Sequence, residues 1–273
     1  MGIRNLNKYL YDKCSKSSIR KLNIEDMRYK TVVIDTSIYI YKYLKEDKLE
    51  INFRRLIKTF LKYKIRPIFI FDGKSPDMKS DLRKERTQIK KHAECEYNKL
   101  KKQNGTCEVL NNLKKQFVRV HHEDINMLKE MMKFYDIEFV QCEWEADSVC
   151  ANYVRSGIAW ACFSDDMDML VYGCCRVIRE FSLHTLCGQL YTMFLILNDL
   201  KVSLSTFRDI MVLSGTDYNR KDSSDVSLNQ TLSLYNDYTF HKPNDETFYE
   251  WLVKNTNYIK NYDELIKIRM IFS

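Results

Sequence analysis

The sequence contains little proline and glycine and has no long uncharged apolar run. Only three Pro and seven Gly occur among 273 residues, which argues against long linkers and low-complexity tails. No apolar run approaches the 18 or so residues that a membrane-spanning helix needs. The N-terminal stretch MGIRNLNKYLYDKC lacks the apolar segment of a secretory signal. We therefore expect a soluble globular protein with no membrane partner.

The nine cysteines are scattered, and none of them forms a Cys-x-x-Cys pair. Pairs at that spacing are typical of zinc ribbons, so their absence argues against such a site. Because no secretory signal is present, we expect a reducing compartment, where cysteines mostly behave as small buried apolar residues.

The net charge of +7 is unevenly distributed along the chain. Residues 1–30 contain eight Lys and Arg against three Asp and Glu, and residues 79–115 contain eleven against five. The rest of the chain is slightly acidic. Basic segments of this kind are either solvated helix faces or footprints for a polyanion such as nucleic acid. Composition alone leaves both interpretations open.

Four short apolar runs predict the strands of a sheet. They are TVVID, RPIFIFD, IEFVQCE and AWACFSDD, at 31–35, 66–72, 137–143 and 159–166. Unbroken apolar runs of this length are typical of strands that are buried on both faces of a parallel sheet. Segments with helical spacing of apolar residues lie between them. This alternation predicts an α/β fold with a mostly parallel central sheet flanked by helices.

Residues 78–118 interrupt this alternation between the second and third strands. The segment is rich in lysine, too long for an ordinary connection and too charged for the core, so it predicts a basic helical arch. We divide a single domain, 1–273, into three parts: 1–118, 119–220 and a helical C-terminal part, 221–273. The pattern stops without a capping residue, which leaves open whether the natural chain is longer.

Acidic residues follow each of the four predicted strands and one later turn. The seven carboxylates are Asp35, Asp72, Glu143, Glu145, Asp166, Asp168 and Asp217. A single acid at a strand end is usually a helix N-cap, but ligands of open α/β sheets bind at the carboxyl ends of the strands. Seven carboxylates at one edge repel one another unless cations are bound. Oxygen ligands suit Mg²⁺ or Mn²⁺, so the pattern predicts a metal site.

Paired magnesium ions about 4 Å apart activate a water and stabilise the leaving oxygen in phosphodiester cleavage. Basic residues near such a pair would hold the phosphates of the substrate. The acidic strand ends and the lysine-rich arch therefore fit together as parts of one nuclease.

Six motifs occur in order from residue 1 to about residue 218: MGIRNL, VVIDTSIYIYKYL, FIFDGKSPDMKSDLRKER, CEWEADSVCANYV, SDDMDML and LSGTDYN. With them the chain resembles the flap endonuclease family of structure-specific 5′ nucleases, which has a PIN-like core. Within that family it resembles the poxvirus members most closely. Each string alone is weak evidence, but six in the family's order are specific.

The resemblance implies two Mg²⁺ ions, with Mn²⁺ as a substitute. It places Asp35, Asp72, Glu143 and Glu145 on one metal side and Asp166, Asp168 and Asp217 on the other. Two further acids, Asp147 and Asp165, are not expected to be ligands.

The resemblance also implies DNA-binding residues. Lys79 and Arg86 look like the family's catalytic cations at the scissile phosphate, and Tyr41 looks like a tyrosine that stacks on a base. The full predicted DNA-binding set is Gly2, Tyr41, Lys79, Arg83, Lys84 and Arg86. By contrast, Tyr39 and Tyr43 are expected in the core, and His121 and His122 at a helix start.

The implied activity is metal-dependent cleavage of 5′ flaps or branched DNA junctions. The resemblance leaves open how this activity divides between endonuclease and 5′ exonuclease action. In-line attack by water would leave 5′-phosphate and 3′-hydroxyl ends. The poxvirus resemblance implies roles in DNA recombination, double-strand break repair and viral genome replication in the host cytoplasm. Viral replication and recombination proteins are then candidate partners, and the oligomeric state stays open.

One departure from the family pattern keeps alternatives open. The family continues after the last acid into a helix-hairpin-helix with a Gly-x-Gly turn that binds potassium and duplex DNA. Here NRKDSSDVSLNQTLSLYNDY contains no glycine, which puts potassium binding in doubt. The alternatives are a catalytically weak DNA-binding scaffold of the same fold and an RNase of the PIN type.

Overall fold

The computed structural model describes residues 2–103, 106–219, 228–241 and 246–273, and a seven-stranded sheet forms its centre. The strands are β1 (Ile19–Asn23), β2 (Thr31–Asp35), β3 (Arg66–Phe71), β4 (Glu138–Gln141), β5 (Ala161–Phe163), β6 (Arg176–Ser182) and β7 (Cys187–Thr192). Their order across the sheet is β1-β7-β6-β5-β2-β3-β4. All pairs from β6 to β4 are parallel, whereas β1, β7 and β6 pair antiparallel. The predicted α/β class with a mostly parallel sheet is confirmed.

Helices cover the sheet on both faces. Those in the described residues are α1 (Leu6–Lys13), α2 (Thr36–Lys45), α3 (Leu49–Lys62), α4 (Ser80–Lys102), α5 (Cys107–Lys114), α6 (His122–Phe134), α7 (Ala146–Arg155), α8 (Asp168–Val171), α9 (Met193–Leu200), α10 (Leu204–Leu213), α11 (Leu228–His241), α12 (Phe248–Asn255) and α13 (Tyr262–Ile271). Among the described residues, no helix is long and apolar enough to cross a membrane.

Strand β2 shows how the sheet divides the core into two layers. Successive side chains of a strand point to opposite faces, and Val33 packs in one apolar cluster while Val32 and Ile34 pack in the other. The layer of Val32 and Ile34 includes α2, α3 and α6, and aromatic rings fill it. The rings of Phe60 and Phe163, for example, lie 5.4 Å apart. Burial on both faces explains why these strands read as unbroken apolar runs.

The structure adds three strands that the apolar runs do not predict, namely β1, β6 and β7. In β1, only Ile19 and Leu22 are buried within IRKLN, so the strand has too few apolar residues to show a pattern. Strands β6 and β7 form an antiparallel hairpin with an irregularity between Arg179 and Ser182, which disturbs the alternation. The fourth predicted strand is also too long. It pairs only as Ala161–Phe163, because the chain then turns out of the sheet.

The predicted arch is helical and consists mainly of α4 and α5. Helix α4 has 23 residues, about 34 Å at 1.5 Å per residue, and buries only Leu82 and Ala93. Helix α5 packs back on α4. The Tyr97 and Phe117 rings, 5.4 Å apart, connect the middle of this segment to its C-terminal end. A long helix with so little buried surface presents most of its lysines to solvent.

The C-terminal helices pack on the same core layer as α7 and α10. The ring of Phe272, which follows α13, lies 4.6 Å from the ring of Tyr172 and 5.7 Å from that of Tyr218. The predicted division near residue 220 and part of the glycine-free segment lie outside the described residues, so both stay predictions.

Replacing Phe69 by alanine tests this core. Phe69 is fully buried on β3, and its ring centre lies 6.1 Å from that of Phe53. Losing a buried phenylalanine typically costs about 3–5 kcal/mol, so urea unfolding should show a loss of that size. The matched control is Phe134→Ala on α6, where the ring is 79% exposed and the loss should stay below about 1 kcal/mol. Equal losses would contradict the layer described above.

Candidate functional site

A cavity of about 850 Å³ opens where the parallel strands end and the arch begins. Acids from six separate stretches of chain line it together with cations of the arch. The acids are Asp35, Glu46, Asp72, Glu145, Asp147, Asp165, Asp166 and Asp217. The arch contributes Lys79, Arg86, Lys90 and Lys115. Because parallel strands present their carboxyl ends at one edge, the fold itself brings these distant acids together.

Asp35 ends β2 at the floor of the site and is only 4% exposed. Its carboxylate accepts a hydrogen bond from the Ser164 hydroxyl at 3.1 Å. Burial and the neighbouring charges of Asp72 and Asp166 raise the pKa of Asp35 to about 8. Ionising Asp35 at neutral pH therefore costs free energy in the folded protein, and a bound cation would reduce that cost.

Asp72 joins the loop after β3 to the start of α7. Its Oδ1 accepts a hydrogen bond from the Ala146 amide at 2.7 Å, and the Ser37 hydroxyl donates to its other oxygen. The next residue, Gly73, lies against the loop after β4, where a Cβ atom would come 2.2 Å from the carbonyl oxygen of Glu143. Only glycine permits this close approach of the two acid-bearing loops.

Asp166 lies in the loop after β5 and Asp168 begins α8, and both lie beside Gly2 near the N-terminus. The amide of Asp168 donates to Asp166 Oδ1 at 3.0 Å. Gly2 has a φ of 80°, and a Cβ atom there would lie 2.5 Å from Asp168 Oδ1. Burial, followed by the charges of Asp166 and Asp217, raises the pKa of Asp168 well above its usual value. Gly2, predicted as a DNA-binding residue, therefore lies directly beside these two acids.

Two cations of the arch pair with two of these acids. Lys79 Nζ lies 2.8 Å from both carboxylate oxygens of Glu145 and 4.3 Å from the centre of the Tyr218 ring. Arg86 Nη2 donates to Asp217 Oδ2 at 2.8 Å. Burial alone lowers the pKa of Lys79, but Tyr218 and Glu145 outweigh it, so the pKa is raised and Lys79 stays charged.

The donor set fits hard divalent cations. In the described part of the chain, no three acidic, cysteine or histidine side chains form a ready-made metal site as they stand. The converging donors, however, are carboxylate oxygens, which Mg²⁺ and Mn²⁺ prefer. Asp168 Oδ1 is buried, and no hydrogen-bond donor reaches it within the described residues. A buried carboxylate oxygen without a donor is costly, and a cation would satisfy it.

Five predicted site residues do not line the cavity. Two of them, Gly2 and Asp168, lie directly beside Asp166 at its edge, whereas the other three point away. Glu143 is exposed in the loop before Glu145, and its side chain does not line the cavity. Arg83 and Lys84 are exposed on α4, where Lys84 pairs with Asp81 at 3.0 Å. A helix turns by 100° per residue, so neighbours of a cavity-facing residue on α4 point elsewhere. The structure therefore does not bring these three side chains to the site.

Asp147 was not predicted to be a metal ligand, but the structure places it in the cavity. It lines the cavity from the first turn of α7, two residues after Glu145. Burial, then the charges of Asp35 and Asp166, raise the pKa of Asp147 well above its usual value. Its position two residues after Glu145 was the feature of the sequence that could have predicted this placement. Asp165 also lines the cavity, but its Oδ1 accepts the Glu180 amide at 2.6 Å.

The aromatic and histidine predictions have clear outcomes. Tyr39 and Tyr43 are buried, at 4% and 3% exposure, as expected for core residues. Tyr41 lines the cavity and is 39% exposed, with Lys90 Nζ 5.1 Å above its ring. His121 precedes α6, and its amide donates to Asp124 at 2.9 Å in a capping box. The expected helix-start role is confirmed.

Comparison with known proteins places the chain in a class. The XPG N-terminal domain profile matches residues 1–93, and the XPG I-region profile matches residues 136–217. Together these two stretches contain all seven predicted carboxylates. The parallel sheet, the acidic edge and the two matched regions define a protein of the XPG class. Within that class, the chain belongs to the flap endonuclease family, whose nucleases are metal-dependent.

Individual relatives agree with this assignment. The chain is 30% identical over 241 residues to flap endonuclease 1 of Leishmania infantum. The aligned region covers 80% of this chain and 60% of the relative. The chain thus spans about 60% of the length of such curated relatives.

Solved structures share the fold. The catalytic core of Rad2 in complex with DNA substrate has a TM-score of 0.69 at 17% identity, covering 99% of this chain and 85% of that one. Flap endonuclease-1 from Methanococcus jannaschii has a TM-score of 0.66 at 22% identity, covering 100% and 84%.

The raised pKa of Asp35 predicts a pH-dependent cost of folding. Its carboxyl has a pKa near 4 in the unfolded chain and about 8 in the folded one. Stability should therefore fall as pH rises from about 4 to 8, because the folded state holds the proton more tightly. In EDTA, Asp35→Asn should be more stable than wild type at pH 8, by up to about 5 kcal/mol.

The same comparison at pH 5 should show a much smaller difference, which urea unfolding at both pH values measures. The control is Asp12→Asn, an exposed carboxylate on α1, which should change stability little at either pH. A stability difference for Asp35→Asn that does not grow with pH would contradict the buried, repelled carboxylate.

Proposed function

We propose that the protein is a divalent-metal-dependent nuclease that cleaves one DNA strand at 5′ flaps or branched junctions. The observation that carries this proposal is the meeting of buried carboxylates with Lys79 and Arg86 of the arch in one cavity. A scaffold that only binds DNA gains nothing from carboxylate repulsion beside a polyanion. Membership in the flap endonuclease family and the similarity to Rad2, solved with DNA substrate, support the same reaction.

The residues that would hold two Mg²⁺ ions, with Mn²⁺ as a substitute, fall into two groups. Asp35, Asp72, Glu145 and Asp147 would hold one ion, and Asp166 and Asp217, which also line the cavity, together with the adjacent Asp168, would hold the other. When bound, such ions activate a water and stabilise the leaving oxygen of a phosphodiester. Glu143, which is exposed here, would join only if its side chain rotated towards the cavity.

Lys79 and Arg86 would contribute N–H donors to the phosphate that is cleaved. Lys79 pairs with Glu145 and Arg86 with Asp217, so a phosphate held at these acids would lie close to both cations. Charged donors fixed in a partly buried site stabilise the negative charge that develops on phosphate oxygens. The remaining cavity lysines, Lys42, Lys45, Lys90 and Lys115, would attract the DNA backbone.

We further propose a role in DNA recombination, double-strand break repair and replication of a viral genome in the host cytoplasm. The support for this part is the poxvirus-like motif order in the sequence. Imaging of the tagged protein in infected cells, with recovery of bound DNA and proteins, tests it. Protein confined to the nucleus, away from viral DNA, would contradict it.

Purified protein should be tested on four DNA substrates of equal sequence: a 5′ flap, a nicked duplex, a Holliday junction and a single strand, in Mg²⁺ or Mn²⁺. The proposal expects cutting of the flap or the junction well above the other two. Equal cutting of all four would remove the structure-specific claim. Preferred cutting of a matched RNA flap would favour an RNase instead.

The double variant Asp166→Asn, Asp168→Asn tests the acids. Removing both charges at a site that needs cations should reduce cleavage of the preferred substrate below detection. Binding of the same DNA, measured by fluorescence anisotropy in Ca²⁺, should stay within about threefold, because less repulsion offsets the weaker metal binding. Retained cleavage would mean that the reaction occurs elsewhere on the protein.

Lys79→Met tests the cation at the phosphate, and Lys84→Met is its matched control. Lys79 is buried against Glu145, whereas Lys84 is exposed on the far side of the same arch. The loss of one preorganised donor typically costs about 10²–10³ in rate. Single-turnover cleavage should therefore fall by that factor in Lys79→Met and by less than about threefold in Lys84→Met. Similar rates in the two variants would assign Lys79 a purely structural role.

A further inference from the structure

Trp144 is a large apolar side chain exposed in the middle of the acidic loop. It lies between Glu143 and Glu145, and 54% of it is exposed to solvent. The other two tryptophans have partners: the Arg176 guanidinium lies 5.6 Å from the centre of the Trp160 ring, and Trp251 is only 9% exposed. Within the described residues, no ring stacks on Trp144 and no cation lies over it. Packing therefore does not account for this residue.

The loop holds Trp144 rigidly beside the acids. The Trp144 carbonyl accepts a hydrogen bond from the Gly73 amide at 2.7 Å, and the Glu143 carbonyl accepts one from Lys74 at 2.8 Å. Gly73 is also the position where no side chain fits between the two loops. The backbone under the indole is thus fixed to the segment that carries Asp72. An exposed ring on a fixed backbone loses little entropy when it binds a partner.

The backbone places this ring outside the cavity. Glu145 has dihedrals of φ −68° and ψ 145°, close to those of polyproline II, in which successive side chains are rotated by about 120°. Glu145 lines the cavity and Trp144 does not. A group resting on the indole would therefore lie about one residue's width from the acids, at the rim.

The chemistry of an open indole face beside a phosphate site selects a nucleobase. Stacking on aromatic side chains is independent of base identity, as a structure-specific enzyme requires. A base inside a duplex already has neighbours on both faces, so only an unpaired base has a face to offer. Tyr41, the stacking residue that the motifs suggest, already has Lys90 over its ring. Trp144 presents a more open surface.

We propose that Trp144 is a stacking surface for an unpaired base of the strand that is cut, immediately outside the acid cavity. This inference rests on the proposed nuclease function and adds to it a residue that senses the unpaired strand. It makes Trp144 a determinant of substrate structure rather than of the chemical step.

Intrinsic fluorescence provides a direct test, because Trp144 is the exposed tryptophan, whereas Trp251 is buried and Trp160 is partly buried. Wild type, Trp144→Phe and Trp144→Ala are titrated in Ca²⁺ with a 5′-flap DNA and with the same nicked duplex lacking the flap. Wild-type emission should be quenched by the flap DNA and much less by the nicked duplex. The quenching should disappear in Trp144→Phe, which retains a ring for stacking and should bind the flap within about threefold of wild type.

Trp144→Ala should bind the flap about tenfold more weakly, since stacking of one base contributes on that order. Its binding of the nicked duplex should be unchanged. In cleavage, KM should rise while the single-turnover rate at saturating DNA stays within about threefold. Phe194→Ala, which removes another exposed ring (77%) on α9, is the control and should alter neither binding nor emission. Thermal melts confirm that each variant is folded.

Equal flap affinity in wild type and Trp144→Ala would overturn the inference, as would quenching that persists in Trp144→Phe. The wild-type cleavage assay separates this failure from that of the proposed function. A wild type that cuts flaps but shows no Trp144 effect refutes only the stacking. A wild type that binds DNA yet cuts none of the four substrates refutes the nuclease assignment, and the stacking inference falls with it.

Discussion

Repulsion among carboxylates at the end of one sheet is the constraint on which the rest of this structure depends. Asp35 and Asp168 are almost fully buried, and burial raises the pKa of both. The protein tolerates this arrangement by placing positive charge next to it: Lys79 and Arg86 pair with Glu145 and Asp217. Buried carboxylates that repel one another reduce the stability of the fold, and such groups with shifted pKa values are common at functional sites. The architecture therefore keeps, at the expense of stability, a cluster that only cations can complete.

The same constraint explains two glycines. Near the acids, Gly2 and Gly73 occupy positions where a Cβ atom would collide with a carboxylate oxygen or with the neighbouring backbone. In a chain with only seven glycines, using two of them here shows how closely the segments must approach. The N-terminus and the loop after β3 are thus parts of the site, although the two glycines have no side chain that could bind a metal. The close approach of these backbone segments and the clustering of the carboxylates therefore depend on each other.

Much of this arrangement could be predicted from the sequence, because strands buried on both faces leave a plain signal. Asp35 and Asp72 follow unbroken apolar runs, and parallel topology then dictates that they meet. The arch was predictable from its excess of lysine. Strand β1 was not, since only Ile19 and Leu22 face the core. Side-chain direction was not predictable either. Glu143 and Glu145, two residues apart in one loop, differ in whether they enter the cavity, and no periodicity in the sequence indicates which of them does.

Asp147 and Trp144 show what motif matching leaves out. A motif selects residues by their place in a string, whereas the cavity selects them by direction and burial. Asp147 enters because the first turn of α7 carries it inward, and Trp144 stays outside because successive side chains of the chain before α7 point in different directions. One short loop thus presents carboxylates to the inside and a flat apolar ring to the outside. Cations and phosphate need the first, and an unpaired base needs the second. The two requirements of a structure-specific nuclease can therefore be met by a single rigid segment.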